Sequence, residues 1–163
     1  MVIVIMGVCG CGKSTIGKML AERIGVDFFD GDEFHPKENV TRMAAGIPLN
    51  DDDRKPWLET MAGEISKWES KGGAVLACSA LRESYRQILK NGGDVLFVHL
   101  KGSPETILGR MKERNNHFMP ASLVKSQFET LEEPQDGISI DITFDPEEIV
   151  KDIIEKLETK KRN

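Results

Sequence analysis

Apolar runs alternate with amphipathic segments along this chain of 163 residues. The first run, Val2–Met6, is continuous and rich in β-branched residues, which is typical of a parallel strand buried on both faces. A glycine-rich turn follows, and beyond it Ile16, Met19, Leu20 and Ile24 recur at the spacing of one helix face. This pattern predicts a buried strand, a tight turn and an amphipathic helix at the start of the chain.

The same pattern predicts four further strands and six further helices. Ser103 and Asp145 are expected to cap two of these helices, because their side-chain oxygens can accept hydrogen bonds from free N–H groups of the first turn. A long helix is expected to begin near residue 53, which would put Pro56 in the first turn, where proline costs no intrahelical hydrogen bond. The predicted strands are residues 26–29, 74–78, 95–100 and 138–144, and the predicted helices are 36–45, 53–71, 83–90, 104–114, 121–132 and 146 onward.

Strands that alternate with helices predict a single α/β domain across residues 1–163, with right-handed crossovers and a doubly wound, five-stranded parallel sheet. The length suits one domain with one core. In such sheets ligands bind beyond the carboxyl ends of the strands, so candidate chemistry is expected at that edge.

Composition and charge argue against several function classes. Lys plus Arg total 22 and Asp plus Glu total 27, so the formal net charge is −5, which argues against nucleic acid as a partner. No apolar run approaches the roughly 18 residues that suggest a membrane helix, and no basic segment precedes Val2–Met6 as in a secretory signal. Three cysteines are too few for a disulfide framework. We therefore expect a cytoplasmic protein with no membrane partner.

A phosphate loop is the strongest chemical signal. Residues 7–14, with the sequence GVCGCGKS, fit the pattern G-x-x-x-x-G-K-[ST] between a buried strand and a helix. Glycines let backbone N–H groups turn toward phosphate oxygens, and the helix presents its positive end to them. Lys13 would reach the β- and γ-phosphates, and the Ser14 hydroxyl would ligate Mg²⁺. The predicted nucleotide-binding residues are Gly7, Gly10, Cys11, Gly12, Lys13, Ser14 and Thr15.

Other interpretations of this loop stay open. It could be a glycine turn with an unrelated lysine. Cys9 and Cys11 could be small fillers, or a metal or redox pair; a thiolate favoured by the helix N-terminus would let oxidation block nucleotide binding. No N-K-x-D sequence occurs in the chain, which argues against a GTPase switch.

Two carboxylates follow the second predicted strand. Asp30 and Asp32 flank Gly31 beyond the end of that strand. One carboxylate can hold the water shell of Mg²⁺, and the other can orient a hydroxyl for attack. We assign the metal role to Asp30 and the hydroxyl role to Asp32. The alternative is an ordinary Asp-Gly turn.

Five blocks of sequence together resemble the gluconokinase family, the ATP-dependent gluconate kinases. They are residues 7–15, 30–36, 48–58, 78–86 and 127–131, in family order, and the resemblance covers about residues 2–158. The stretch NDDDRKPWL at residues 50–58 is far more discriminating than the phosphate loop. The chain departs from the family at Cys9 and Cys11, where family loops commonly carry serines. The resemblance implies a fold shared with shikimate and nucleoside-monophosphate kinases, phosphoryl transfer from ATP to the 6-hydroxyl of D-gluconate, and a common homodimeric state.

Gluconate is a polyol with a carboxylate, so its site needs acceptors for hydroxyls and a cation for the acid. The predicted helical segment 34–70 carries most of the candidates. An arginine suits the carboxylate because its fork of N–H groups can bind both oxygens. The candidate hydroxyl partners are Asp32, His35 and residues 51–53, and the candidate carboxylate partners are Arg54, Arg82 and Arg86. The aspartates could instead be helix N-terminal charges and caps, and Arg82 and Arg86 could be an exposed helix face.

Arg110 and Arg114, followed by residues 115–118, are expected to begin a lid at about residues 112–124. By resemblance to the adenylate-kinase group, Arg110 would stack on adenine, Arg114 would contact the transferring phosphate and Pro146 would line the adenine pocket. The alternative is an exposed pair of basic residues four positions apart.

Two rival functions remain at this point. One is a shikimate- or nucleotide-type kinase with the same fold and another acceptor. The other is a regulatory module that binds ATP without phosphoryl transfer. Asp30, Asp32 and the lid arginines argue against the second rival, because a nucleotide sensor needs none of them.

Overall fold

Five parallel strands form one sheet in the computed structural model, which describes residues 1–113 and 122–162. The order across the sheet is β2-β3-β1-β4-β5, and each neighbouring pair is parallel. This confirms the predicted α/β class and the five-stranded parallel sheet. The strands are β1 (Val2–Met6), β2 (Asp27–Asp30), β3 (Ala74–Ala77), β4 (Val95–Lys101) and β5 (Ile138–Asp141).

Helices connect the strands, and the order of the strands decides which face each helix covers. The chain moves in one direction from β1 to β2 and returns from β2 to β3, so right-handed crossovers place the intervening helices on opposite faces. One face carries α1 packed on α7, and the other carries α3 packed on α4. The helices are α1 (Lys13–Ile24), α2 (Lys37–Ala44), α3 (Asp51–Ser70), α4 (Glu83–Lys90), α5 (Pro104–Glu113), α6 (Ser122–Thr130) and α7 (Pro146–Arg162), and a 3-10 turn spans Gly31–Phe34.

The central and edge strands differ in burial. All five residues of β1 are buried, as the continuous apolar run predicts. In β5, Ile138 and Ile140 are buried while Ser139 and Asp141 are exposed, so this edge strand is covered on one face only. The predicted strand 138–144 is too long, because the Asp141 carboxylate accepts hydrogen bonds from the N–H and hydroxyl of Thr143 and turns the chain.

The long helix α3 begins two residues earlier than predicted. Asn50 caps it: the Asn50 Oδ1 accepts from the Asp53 N–H at 2.8 Å, and the Asp53 Oδ2 accepts from the Asn50 N–H at 3.0 Å. This reciprocal capping box fixes the start at Asp51. Pro56 therefore lies in the second turn, so its missing N–H leaves the carbonyl of the exposed Asp52 to solvent.

None of the helices in the described ranges 1–113 and 122–162 has the length and apolar character needed to cross a membrane.

Candidate active site

The phosphate loop lies at the carboxyl end of β1, the central strand. Gly7, Gly10 and Gly12 have φ angles of +148°, +78° and +98°, which non-glycine residues rarely adopt. The Lys13 ammonium donates to the carbonyl oxygens of Gly7 at 3.1 Å and Val8 at 3.0 Å. Backbone geometry therefore gives this loop its shape, and the lysine lies folded against it.

Lys13 is a cation held among groups that favour its charge. Burial by itself would lower the pKa of Lys13, yet the nearby Cys11 and Asp32 groups raise that pKa above its ordinary value. The ammonium is therefore fully protonated near neutral pH, as a phosphate-binding group requires.

The two predicted carboxylates stand beside the start of α1. The Ser14 hydroxyl donates to the Asp30 Oδ2 at 2.7 Å, and the Asp32 N–H donates to the Asp30 Oδ1 at 3.0 Å. A Cβ on Gly31 would come within 2.7 Å of the Ala77 carbonyl oxygen, so only glycine fits between the two aspartates without displacing β3. Close packing of the backbone thus places both carboxylates at the loop.

The donor set fits a magnesium ion held together with phosphates and water. The Ser14 hydroxyl and the Asp30 carboxylate are adjacent hard oxygen donors, which Mg²⁺ prefers. Across the described residues, no three His, Cys, Asp or Glu side chains gather as a metal site made of protein alone. A divalent ion that keeps several waters and binds mainly through phosphates needs no such cluster.

A cavity of about 130 Å³ connects the phosphate loop with the acceptor candidates. Among its lining residues, we call Lys13 and Ser14 the phosphate wall and Asp32, His35 and Arg54 the acceptor wall. The structure therefore brings together most of the residues that the sequence singled out, although they come from α1, the 3-10 turn and α3.

His35 is a neutral imidazole fixed in orientation. Its ring stacks on Trp57 at 3.9 Å between centroids, and its Nδ1 lies 3.2 Å from the Nδ2 of Asn39, an amide donor. Burial, with a smaller effect from the positive Arg54, lowers the pKa of His35 to about 4. Because Nδ1 accepts from Asn39, the proton lies on Nε2, which is then a donor suited to a hydroxyl oxygen.

Arg54 is held by Tyr85, which the sequence analysis did not assign to the site, and through Tyr85 by Asp51. Its Nη1 donates to the Tyr85 hydroxyl at 3.0 Å, and its guanidinium lies 5.3 Å from the centroid of that ring. The Tyr85 hydroxyl donates to the Asp51 Oδ1 at 2.5 Å. Tyr85 falls in the block at residues 78–86, which was the available signal, but its contact with α3 could not be read from spacing.

The three aspartates at residues 51–53 differ in their contacts. Asp51 accepts from Tyr85, and Asp53 forms the capping box and an ion pair with Arg42 at 2.8 Å. Asp52 is exposed and does not line the cavity. None of the three lines the cavity, so their expected direct contact with substrate hydroxyls is not supported.

Arg86 does not reach the cavity, contrary to the expectation that it could bind a substrate carboxylate. Its side chain is only 2% exposed, and its donors go to the carbonyl oxygens of Ala80 at 2.6 Å and Glu132 at 2.9 Å and to the Glu83 carboxylate at 3.1 Å. Arg82 is exposed, precedes α4 as its N-cap and does not line the cavity either. Of the three candidate arginines, only Arg54 faces the cavity.

The predicted adenine residues lie beside the loop after β5. The Arg110 Nη2 donates to the Ile142 carbonyl oxygen at 2.7 Å, and Pro146 is the exposed first residue of α7. Neither lines the cavity described above. Arg114, with residues 115–121, lies outside the described residues.

Gln127 is a cavity residue that the sequence analysis did not assign. Its Oε1 accepts from the Cys9 N–H at 2.7 Å, so α6 contacts the phosphate loop directly. The resemblance block at residues 127–131 carried the signal, but no general chemical pattern marks a lone glutamine.

The three cysteines are packed in the interior as reduced thiols. Cys9, Cys11 and Cys78 are all free and buried. Burial raises the pKa of Cys9 to about 11 and that of Cys78 to about 12. At Cys9 the alternative of a thiolate is disfavoured, because loss of hydration outweighs the positive charge of Lys13, and the interpretation as a small filler is favoured there.

Comparisons with known proteins show what the whole chain is similar to. A family model for shikimate kinases matches residues 9–158. The chain is 42% identical to a probable gluconokinase of Xenopus tropicalis, over 98% of this chain and 95% of the relative, and 45% identical to the thermosensitive gluconokinase of Escherichia coli (strain K12), over 87% and 79%. The solved structure of a gluconokinase from Sinorhizobium meliloti 1021 superposes with a TM-score of 0.88 at 42% identity, covering 97% of this chain and 91% of the other.

Proposed function

This chain belongs to the gluconokinase family, and from that premise we propose that it transfers the γ-phosphoryl group of ATP to the 6-hydroxyl of D-gluconate, giving 6-phospho-D-gluconate and ADP. One observation carries the proposal beyond family membership. A single cavity is lined by the phosphate-loop cation Lys13 and by Arg54, a cation suited to a carboxylate. A kinase that transfers a phosphoryl group from a nucleotide to an acidic polyol needs both cations in one cavity.

On the nucleotide side, the loop amides and Lys13 bind the β- and γ-phosphates. Ser14 and Asp30 would hold Mg²⁺, Ser14 directly and Asp30 through water. When bound, the ion neutralises charge on the phosphates. Lys13 adds a fixed positive charge near the transferring group, and it is already oriented by the carbonyl oxygens of Gly7 and Val8.

On the acceptor side, Asp32 orients or deprotonates the hydroxyl that attacks. Its backbone N–H donates to the Asp30 Oδ1, so the start of its side chain has a defined position in the cavity, near Lys13. His35 donates from Nε2 to a hydroxyl oxygen of the polyol, and Arg54 binds the carboxylate. The acceptor is thus bound at its acid end and by its hydroxyls, which favours one orientation.

The remaining roles follow the family resemblance. Arg110 and Pro146 would hold adenine beside the β5–α7 loop, and the contact of Arg110 with Ile142 supports that placement. Arg114 would contact the transferring phosphate from a lid at about residues 112–124, and closure would exclude water. We also propose a cytoplasmic enzyme that can form a homodimer and binds no nucleic acid or membrane.

An assay of ADP release tests the proposal. Purified protein with Mg²⁺ and ATP is given D-gluconate, shikimate, nucleoside monophosphates or no acceptor, and the product is located by phosphorus NMR. We expect turnover with gluconate alone and a phosphate ester at the 6-position. Preferred turnover of shikimate or a nucleotide would support a kinase of the same fold with another acceptor. ATP binding without turnover of any acceptor would support a regulatory module.

A further inference from the structure

Arg54 is hydrogen-bonded to Tyr85, which is in turn hydrogen-bonded to Asp51. Its Nη1 donates to the Tyr85 hydroxyl at 3.0 Å, and that hydroxyl donates to the Asp51 Oδ1 at 2.5 Å. The three residues come from two helices: Asp51 is the first residue of α3, Arg54 follows it by three positions, and Tyr85 belongs to α4. Packing of α4 on α3 therefore creates the contact.

The direction of these hydrogen bonds is set by chemistry. An ionised carboxylate can only accept, so the Tyr85 proton points to Asp51, and the phenol oxygen is left to accept from Arg54. Burial and the hydrogen bond to Asp51 raise the pKa of Tyr85 above its ordinary value, so the hydroxyl keeps its proton. Asp51 thus orients the phenol, and the phenol orients one arm of the guanidinium.

The intervening hydroxyl also keeps the charge of Arg54 available. Within the part of the chain that the structure describes, three arginines are paired with carboxylates, Arg23 with Glu147, Arg42 with Asp53 and Arg86 with Glu83, whereas Arg82, Arg110 and Arg162 are not. Arg54 has no carboxylate within 4.0 Å among those residues; its described partner is a neutral phenol. A direct ion pair with Asp51 would neutralise the cation, whereas a bridging phenol positions it and leaves it free to bind an anion.

We propose that Tyr85 and Asp51 are positioning residues that orient Arg54 toward the carboxylate of the acceptor and so set the preference of this enzyme for an acidic polyol. The inference rests on the proposed function, because it assumes that the acceptor carries a carboxylate. Neither residue touches the substrate; both act through Arg54.

The test compares Tyr85→Phe and Asp51→Asn with the wild-type enzyme. Phenylalanine keeps the buried ring and its contact with the guanidinium but removes the hydroxyl. Asparagine keeps an acceptor and leaves the ring untouched, but it removes the charge that fixes the phenol proton. Asp52→Asn is the matched control, because it removes a neighbouring first-turn charge of α3 from a residue that is exposed and outside the cavity.

For Tyr85→Phe we expect the KM for gluconate to rise about tenfold, with a smaller rise for Asp51→Asn. The KM for ATP should stay within about twofold, because the phosphate loop is untouched. The inhibition constant of D-glucitol, a neutral polyol without a carboxylate, should also stay unchanged. In the double variant the KM for gluconate should equal that of Tyr85→Phe, because Asp51 acts only through Tyr85.

Several results would overturn the inference. An unchanged KM for gluconate in Tyr85→Phe would remove the positioning role. An equal rise in the KM for ATP or in the glucitol inhibition constant would show that the pair only supports the fold. Failure of the proposed function looks different, since the wild-type protein itself would then fail to turn over gluconate. Should Tyr85→Phe not fold, Asp51→Asn with its Asp52→Asn control measures the same gluconate effect.

Discussion

The two walls of the cavity are built in different ways. The phosphate wall comes mainly from one continuous segment, the loop and the first turn of α1, and its geometry is set chiefly by backbone conformation, with Gln127 of α6 as a distant contact. The acceptor wall is assembled from a 3-10 turn, α2, α3 and α4 through side-chain contacts between residues far apart in sequence. Asn39 donates to the Asp53 carbonyl oxygen, Trp57 to the Gly31 carbonyl oxygen and Arg54 to Tyr85. A local loop can serve many kinases, whereas a wall made of distant contacts can change its acceptor without changing the nucleotide chemistry.

If the walls act independently, a change in one should leave ligand binding at the other intact. The largest expected effect is that of Lys13→Met. We expect kcat to fall about a thousandfold, because the fixed positive charge beside the transferring phosphoryl group is lost. The affinity for gluconate, measured by calorimetry without nucleotide, should remain within about twofold of wild type.

Lys18→Met is the control for this variant, since Lys18 is an exposed lysine on the same helix. Its kcat should match the wild-type value. Loss of gluconate affinity in Lys13→Met would contradict the independence of the two walls, and near-normal turnover would remove Lys13 from the site.

Asp32→Asn tests the acceptor wall at the reacting hydroxyl. Asparagine keeps the size and an acceptor oxygen but cannot take a proton, so kcat should fall about a hundredfold or more. The KM for ATP should change less than kcat, because the variant keeps the backbone N–H of residue 32 that donates to the Asp30 Oδ1. Steady-state kinetics with each substrate varied in turn separates these effects. An unchanged kcat would show that Asp32 is not the base.

Arg86→Met tests whether the buried hydrogen bonds of Arg86 support the backbone next to the cavity. Arg86 holds the Ala80 and Glu132 carbonyl oxygens, and the neighbouring Ser79 carbonyl accepts from the Gly7 N–H of the phosphate loop. Loss of the donor to the buried Ala80 carbonyl and to the partly buried Glu132 carbonyl should cost about 2–4 kcal/mol in the free energy of unfolding, and the Tm should fall by roughly 10 °C.

The KM for gluconate of the folded Arg86→Met enzyme should stay near the wild-type value, which denaturant melts and kinetics at low temperature would show. Arg82→Met, at an exposed position, should leave the Tm unchanged. A large rise in the KM for gluconate without loss of stability would restore Arg86 as a substrate residue.

Arg86 also illustrates how far the sequence could be taken. The phosphate loop and the order of strands and helices were predictable, because glycine spacing and apolar periodicity are local signals. Whether an arginine on a helix faces a cavity or is buried against backbone carbonyls depends on which distant segments pack beside it. Arg54 and Arg86 look alike in sequence, yet one faces the cavity and the other is buried on carbonyl oxygens. Tyr85 and Gln127 were missed as site residues for the same reason, since each acts on a residue of a distant segment.

The smallest expected effect concerns the protonation of His35, which stacks on Trp57 beside Arg54. Its pKa is lowered from an ordinary value of 6.5 to about 4, chiefly by burial and also by the positive Arg54. Below about pH 6.5 the imidazole of His35 therefore binds a proton in the unfolded chain but stays neutral in the folded chain until the pH approaches 4. The neutral His35 therefore costs the folded state nothing above about pH 6.5. As the pH falls from 6.5 toward 4, the unfolded chain gains a proton that the folded chain does not bind, and the free energy of unfolding decreases. Protonation would also remove the hydrogen bond that the neutral Nδ1 accepts from Asn39.

His35→Gln isolates this group from the carboxylates that titrate in the same range. We expect the free energy of unfolding of the wild type to fall more steeply between pH 7 and pH 5 than that of the variant, as measured by denaturant melts at each pH. The variant should also have a somewhat higher KM for gluconate and an unchanged KM for ATP, because His35 belongs to the acceptor wall. Parallel pH curves for the two proteins would mean that His35 titrates normally and is not held neutral. A matching rise in both KM values would mean that the two walls are coupled through the His35 ring. The two walls would then not bind their ligands independently, although they are built from different segments.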